Sequence, residues 1–75
     1  MNFKKRDIIY DSILIGNDKD RVYKVVAIEY KFHLPTAYVL KHLSSKQMFV
    51  SDIKSIDDRY LLRESVGHPQ TKLFK

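Results

Sequence analysis

The chain has 75 residues, no cysteine and a formal net charge of +5, with 44% hydrophobic and 31% charged residues. This length supports one domain and leaves little core for a deep catalytic cleft, since such domains bury about 60–65% of their unfolded surface. Without cysteine the chain forms no disulfide, no thiolate nucleophile and no cysteine zinc site. Its clustered β-branched and aromatic residues exclude a wholly disordered chain.

The sequence also indicates a cellular compartment. Small secreted domains usually depend on disulfides, so the lack of cysteine favours a reducing interior. Residues 1–7 contain no apolar signal region, and no apolar run is long enough to span a bilayer. We therefore expect a cytoplasmic protein with no membrane partner.

The first two predicted elements are strands. Residues 8–15 are rich in β-branched side chains and predict a strand, and a polar turn follows over residues 16–20. Residues 21–32 form the clearest strand pattern. Its alternation predicts one core face, in which only the lysine is not apolar. That face contains Val22, Lys24, Val26, Ile28, Tyr30 and Phe32.

The middle of the chain predicts a β-meander. Residues 33–36 interrupt the second strand, because Pro35 cannot donate a hydrogen bond to a β-ladder. A third strand is predicted over residues 37–43 and a fourth over residues 47–50, with a short turn at residues 44–46. Short turns of this kind join antiparallel neighbours.

The sequence pattern of residues 51–64 is compatible with two kinds of secondary structure. Ile53, Ile56 and Tyr60 have helical spacing with charged residues between them. Residues 59–63 fit a closing strand equally well. We predict a short helix or 3-10 turn starting near residues 52–55, followed by a brief extended segment.

The end of the chain, residues 65–75, contains glycine, proline and polar residues without a period. We predict that it is a flexible basic tail. The domain is then residues 1–64, a mainly β fold. It is an antiparallel meander of four to five strands with a short C-terminal helix or 3-10 turn.

Four segments carry a family resemblance: residues 21–28 (RVYKVVAI), 37–41 (AYVLK), 48–50 (MFV) and 53–57 (IKSID). Their order resembles that of small SH3-like β-barrels of the kind encoded by phages and low-GC bacteria. The resemblance covers about residues 6–62 and implies a barrel with a binding role. It names no ligand, because the chain lacks the tryptophan of polyproline-binding SH3 domains and the glycine-led basic loop of ribosomal KOW domains.

The sequence lacks the arrangements that are typical of catalysis. The histidines at positions 33, 42 and 68 are scattered, and we interpret them as surface residues rather than zinc ligands. Asp57 and Asp58 are adjacent and diverge on a helix or strand, so they fit a helix start better than a carboxylate pair. With only two glycines, the chain has no phosphate-cradling loop. We therefore expect no enzyme activity, no metal and no cofactor.

The first candidate binding surface is the connection between the second and third strands. A hairpin tip with Phe, His, Leu and Pro is less polar than a turn requires, and an apolar tip favours a protein partner. In the alternative, Phe32 and Leu34 fold back to cover one end of the barrel. The candidate partner-binding residues are Tyr30, Lys31, Phe32, His33, Leu34 and Pro35.

The second candidate surface combines basic and aromatic residues, which bind nucleic acid by base stacking and phosphate contacts. In the alternative, the tyrosine packs in the sheet and the lysines are simply solvated. Acidic residues between positions 7 and 20 interrupt the positive field. The candidate nucleic-acid-binding residues are Lys4, Lys5, Arg6, Tyr23, Lys24, Lys31 and Lys41.

These features together predict a non-catalytic binding module. The first hypothesis is a small protein-interaction adaptor or inhibitor, of the phage-encoded kind, that acts on a host protein or nucleoprotein machine. The alternative is a small β-barrel that binds DNA or RNA. We expect either a monomer or a homodimer, since a small open barrel has edge strands to protect.

Overall fold

A computed structural model describes residues 1–13 and 16–63 of the chain. Five antiparallel strands form one open sheet in the order β4-β3-β2-β1-β5, with a 3-10 helix (Asp18–Arg21) before β2 and helix α1 (Ile53–Arg59) before β5. The strands are β1 (Ile8–Asp11), β2 (Val22–Lys31), β3 (Leu34–His42), β4 (Met48–Asp52) and β5 (Tyr60–Leu62). The predicted mainly β meander with a short helix is confirmed. The tail predicted over residues 65–75 lies outside the described residues.

Strand β1 is shorter than the sequence predicts. It ends at Asp11, and the chain bends at Ser12 and Ile13. The Asp11 carboxylate accepts a hydrogen bond from the backbone N–H of Ile13 at 3.0 Å, and this aspartate turn ends the strand. The last two residues of the predicted strand, positions 14 and 15, lie outside the described residues.

The predicted core face of the second strand is wrong over its first half, and at its far end Tyr30 and Phe32 are exposed rather than buried. Val25, on the opposite parity, is fully buried, whereas Val22, Lys24 and Val26 are only half-buried. Val25 lies opposite Leu40, and both belong to the core.

A β-bulge explains why the alternation fails. The register between β2 and β3 shifts between Val25 and Ala27, so one extra residue enters β2. Beyond the shift, Ile28 lies opposite the buried Tyr38 and packs against the core. A single-residue shift moves every later side chain to the other face, which no strict alternation can anticipate.

The turn after β2 is shorter than the predicted interruption. Only Phe32 and His33 form it, and β3 begins at Leu34 and includes Pro35. Proline is tolerated here because β4 pairs with β3 only from Ala37 onward, so one side of β3 is an edge at this point.

The segment after β4 contains both of the structures that the sequence allowed. Helix α1 comes first, and β5 follows it and pairs with β1. Asp52 caps the helix, because its carboxylate accepts hydrogen bonds from the Ser55 backbone N–H at 3.1 Å and from the Ser55 hydroxyl at 2.9 Å. The predicted helix start near residues 52–55 is therefore confirmed.

The core lies on the inner face of the curled sheet. Its buried residues come from all parts of the described chain: Phe3, Ile9, Val25, Tyr38, Leu40, Ile56 and Tyr60. The curl brings rings from both edge strands onto central β2. Tyr23 lies 5.7 Å from Phe49 of β4 and 5.4 Å from Tyr60 of β5, measured between ring centroids.

Candidate functional site

The far end of the β2–β3 hairpin extends beyond the core. Every residue from 29 to 36 is exposed, and we call this segment the hairpin tip. A strand that packs on a core buries the side chains of one face. Because consecutive residues here are exposed on both faces, this part of the hairpin extends into solvent beyond the packed part of the domain. The hairpin tip contains all six candidate partner-binding residues that the sequence indicates.

The large side chains of the hairpin tip face solvent. Phe32 is 85% exposed, Leu34 66% and Tyr30 60%. The alternative in which Phe32 and Leu34 fold back over the barrel end is therefore wrong. Single exposed apolar residues are ordinary, but three within five positions form a patch that is typical of an interaction site.

The turn that carries Phe32 is strained. Phe32 has a φ of 53° and His33 a φ of 68°. A two-residue hairpin turn with both central residues at positive φ strongly prefers Asn-Gly, because bulky residues are disfavoured there. Each residue held in this region costs about 1 kcal/mol or more. The sequence thus retains a phenylalanine where folding alone favours a different residue.

The strand register distributes the side chains of the hairpin tip over two faces. Tyr30 lies opposite Pro35, and Lys31 lies opposite Leu34. Directly opposed residues share a face, so one face carries the ring of Tyr30 beside proline, and the other carries leucine beside a lysine. Phe32 stands at the end between them.

The nucleic-acid candidates are divided among separate places. The Tyr23 ring packs within the aromatic cluster on the inner face, where His42 also lies 4.9 Å from it. Lys24 and Lys41 lie directly opposite each other on the outer face. Lys31 is seven residues along β2 from Lys24, about 23 Å away at the usual strand rise.

The remaining basic candidates, Lys4, Lys5 and Arg6, form an exposed turn. The Asp7 carboxylate accepts a hydrogen bond from the Lys4 backbone N–H at 3.0 Å, and the Asp7 N–H donates to the Lys4 carbonyl at 3.0 Å. The Arg6 N–H donates to the Val25 carbonyl at 2.7 Å. The turn therefore lies beside β2, away from the hairpin tip.

The histidines do not converge within the described chain. His42 Nε2 lies 2.8 Å from the Asp20 carbonyl oxygen, and Nδ1 lies 2.7 Å from the Ser45 hydroxyl, so the ring joins two loops. His33 is in the hairpin tip, and His68 lies outside the described residues. Residues 1–13 and 16–63 contain no group of three or more His, Asp or Glu side chains that could hold a metal. No helix among these residues is long and apolar enough to cross a membrane.

One buried polar contact joins the amino terminus to the core. The Tyr38 hydroxyl donates to the Asp57 carboxylate at 2.7 Å and accepts from the Phe3 N–H at 3.1 Å. Burial, followed by the hydrogen bond to Asp57, raises the pKa of Tyr38 to about 12. Burial also raises the pKa of Tyr60. We assign these groups to the fold, since they lie on the inner face.

Sequence reasoning missed one exposed apolar surface, on strand β4. Met48, Phe49 and Val50 are all exposed. A run of three apolar residues in a strand normally indicates burial on both faces. Here the run lies on a sheet edge instead, and only the exposure reveals this.

A scan against protein-family models, a search of curated proteins and a search of solved structures each found no significant match. The resemblance to SH3-like barrels therefore stays a prediction. The function must be argued from the surfaces of this chain.

Proposed function

We propose that the chain is a non-catalytic module that binds another protein through the hairpin tip. The observation that carries the proposal is the exposure of Phe32 at the end of a strained two-residue turn, with Tyr30 and Leu34 exposed on either side. Strain and apolar exposure both cost stability and are typical of functional segments.

The physical gain on binding is large enough to support a specific complex. Burial of a side chain such as Phe32 or Leu34 contributes about 1.5–3 kcal/mol. Aromatic residues in a small central patch are typical hot spots of protein interfaces. A hairpin held by backbone hydrogen bonds also loses little conformational entropy on binding. The partner that fits is a protein with an apolar recess wide enough for a β-hairpin.

Such a module acts by occupying a site. We therefore favour a small adaptor or inhibitor, of the phage-encoded kind, that inserts its hairpin tip into a larger host protein. The charged neighbours of the patch, Glu29 and Lys31, lie next to the apolar side chains and can set the orientation of the tip at the rim of that recess.

The experiment is affinity capture from a nuclease-treated lysate of the native host, with the wild-type chain and two variants. In the first variant, Phe32→Ser and Leu34→Ser remove the patch. The control is Leu61→Ser, which removes an exposed leucine of β5, the edge strand that pairs with β1 and not with the hairpin. Circular dichroism and thermal unfolding check that both variants fold.

A protein that is retained by the wild-type chain and by Leu61→Ser, and lost by the double variant, supports the proposal. A protein retained equally by all three chains contradicts the assignment of the hairpin tip.

A second candidate function is nucleic-acid binding, and the pairing of Lys24 with Lys41 favours it. Like charges directly opposite each other destabilise a sheet, and a bound phosphate relieves their repulsion. Replacement of both lysines by glutamine should reduce the salt dependence of single-strand binding by a log–log slope of about 1.4, at about 0.7 per contact. Absence of binding to DNA and RNA at low salt removes this candidate.

A further inference from the structure

Strand β4 is an edge with little of the usual protection. Within the described residues it pairs with β3 alone, in a regular register. Proteins protect edge strands with charges, proline, bulges or very short strands, because free backbone groups invite another strand. Strand β4 contains no proline and no bulge, its only charged residue is Asp52 at its end, and Met48 and Val50 are 58% and 54% exposed.

We infer that β4 pairs with β4 of a second copy of this chain, antiparallel, about a two-fold axis through Phe49. A two-fold axis perpendicular to the sheet keeps the outer face of one copy continuous with the outer face of the other. Residues that lie opposite each other in the two copies are then on the same face. Because side chains alternate between the faces along a strand, this requires the axis to pass through a residue and not between two residues. Only a few registers meet this condition.

The sequence distinguishes among these registers. With the axis at Phe49, Met48 lies opposite Val50 of the second copy, and Lys46, in the turn two residues before β4, comes beside Asp52 of the second copy. Apolar side chains then meet apolar ones within the strand pair, and opposite charges come together at its two ends. Each contact occurs twice because of the symmetry.

The neighbouring registers lack this match. With the axis at Val50, Met48 lies opposite Asp52 of the second copy. With the axis at Met48, Val50 lies beside the turn that carries Lys46 of the second copy. Both registers bury an exposed apolar side chain against a charge, which loses the contacts that the Phe49 register provides.

The pairing creates a continuous ten-stranded sheet with a defined geometry. Strand β4 runs toward the hairpin-tip end of β3, since Asp52 lies opposite Ala37. An antiparallel pair of β4 strands therefore directs the two hairpin tips to opposite ends. The inference does not depend on the function proposed for the tip, because the dimer leaves both tips free.

A cysteine cross-link tests both the dimer and its register, because the chain has no cysteine of its own. Met48→Cys and Val50→Cys are prepared separately, with tags of different size, and are oxidised alone and as an equal mixture. In the Phe49 register the two cysteines of the mixture lie opposite each other, about 4.5–5.5 Å apart between Cα atoms, within the range of a disulfide.

Within either variant alone, the two cysteines are displaced by two residues, about 7 Å along the strand, beyond easy reach. We expect a mixed cross-linked dimer to form several times faster than either self-linked dimer. Self-linked dimers that form as fast as the mixed one overturn the register, and no cross-linking in any sample overturns the dimer.

Sedimentation velocity of the full chain provides a second measurement. We expect a dimer, and we expect Lys46→Asp to raise its Kd about tenfold, because aspartate then faces Asp52 of the second copy. Addition of Asp52→Asn should restore most of the affinity while keeping the helix cap. A monomeric wild-type chain at about 1 mM, or a Kd unchanged by Lys46→Asp, contradicts the inference.

Discussion

The Arg59 guanidinium, at the end of α1, holds the buried carboxylate of Asp11 on β1. Its Nε donates to Oδ1 at 2.9 Å and its Nη2 donates to Oδ2 at 2.7 Å, while the Asp11 side chain is 1% exposed. The hydrogen bond to Asp11 raises the pKa of Arg59, so the guanidinium stays charged. The contact fixes the helix to the sheet where β5 begins to pair with β1.

Loss of Arg59 should be costly. Arg59→Met removes the two charge-assisted hydrogen bonds from Arg59 to the buried Asp11 carboxylate, so we expect the free energy of unfolding to fall by about 3 kcal/mol. Urea unfolding measures this change. Asp11→Asn combined with Arg59→Met should recover part of the loss, because the buried charge is gone. A single variant as stable as the wild-type chain contradicts this account of the pair.

The strained turn predicts a trade between stability and binding. Phe32→Asn with His33→Gly installs the preferred turn sequence, so we expect the free energy of unfolding to rise by about 1–2 kcal/mol while partner capture is lost. Thermal unfolding measures the gain. The control, Phe32→Ala with His33→Ala, keeps non-glycine residues at positive φ and should show no such gain. Equal stability of the two variants contradicts the strain argument.

The raised pKa of Tyr38 predicts loss of stability at alkaline pH. Below about pH 10 both the folded and the unfolded chain hold the Tyr38 proton, and its contribution is intact. Between about pH 10 and pH 12 the unfolded chain releases this proton first, so the free energy of unfolding falls, by on the order of 2 kcal/mol. Urea unfolding at about pH 8 and about pH 11 measures the fall.

Tyr38→Phe should make this alkaline fall shallower, because the side chain no longer titrates. Some fall should remain, since the pKa of Tyr60 is also raised by burial. An identical fall in the wild-type chain and the variant contradicts the assignment to Tyr38.

The sequence predicts the elements that local patterns determine. Alternation places β2, β3 and β4 within a few residues of their observed bounds, and the helical spacing of Ile53, Ile56 and Tyr60 places the short helix. The hairpin tip is also found from sequence, because Pro35 interrupts the strand pattern and the nearby Phe32 and Leu34 make the connection less polar than a turn requires.

The features that the sequence does not predict depend on distant parts of the chain. The bulge between Val25 and Ala27 reverses the buried face of β2, and only the pairing with β3 reveals it. Phe3 packs in the core although most of the residues around it in the N-terminal segment are basic or polar. The exposure of Met48 and Val50 depends on the position of β4 at the edge, which is a property of strand order rather than of composition.

The most direct test of the central claim is site-specific photocross-linking in the native host. Benzoylphenylalanine replaces Phe32 in one chain and Leu61 in another, and both chains are irradiated under the same conditions. We expect position 32 to give one cross-linked protein partner and position 61 to give none. Cross-linking of the same partner at both positions, or at position 61 alone, contradicts the assignment of the hairpin tip as the binding surface.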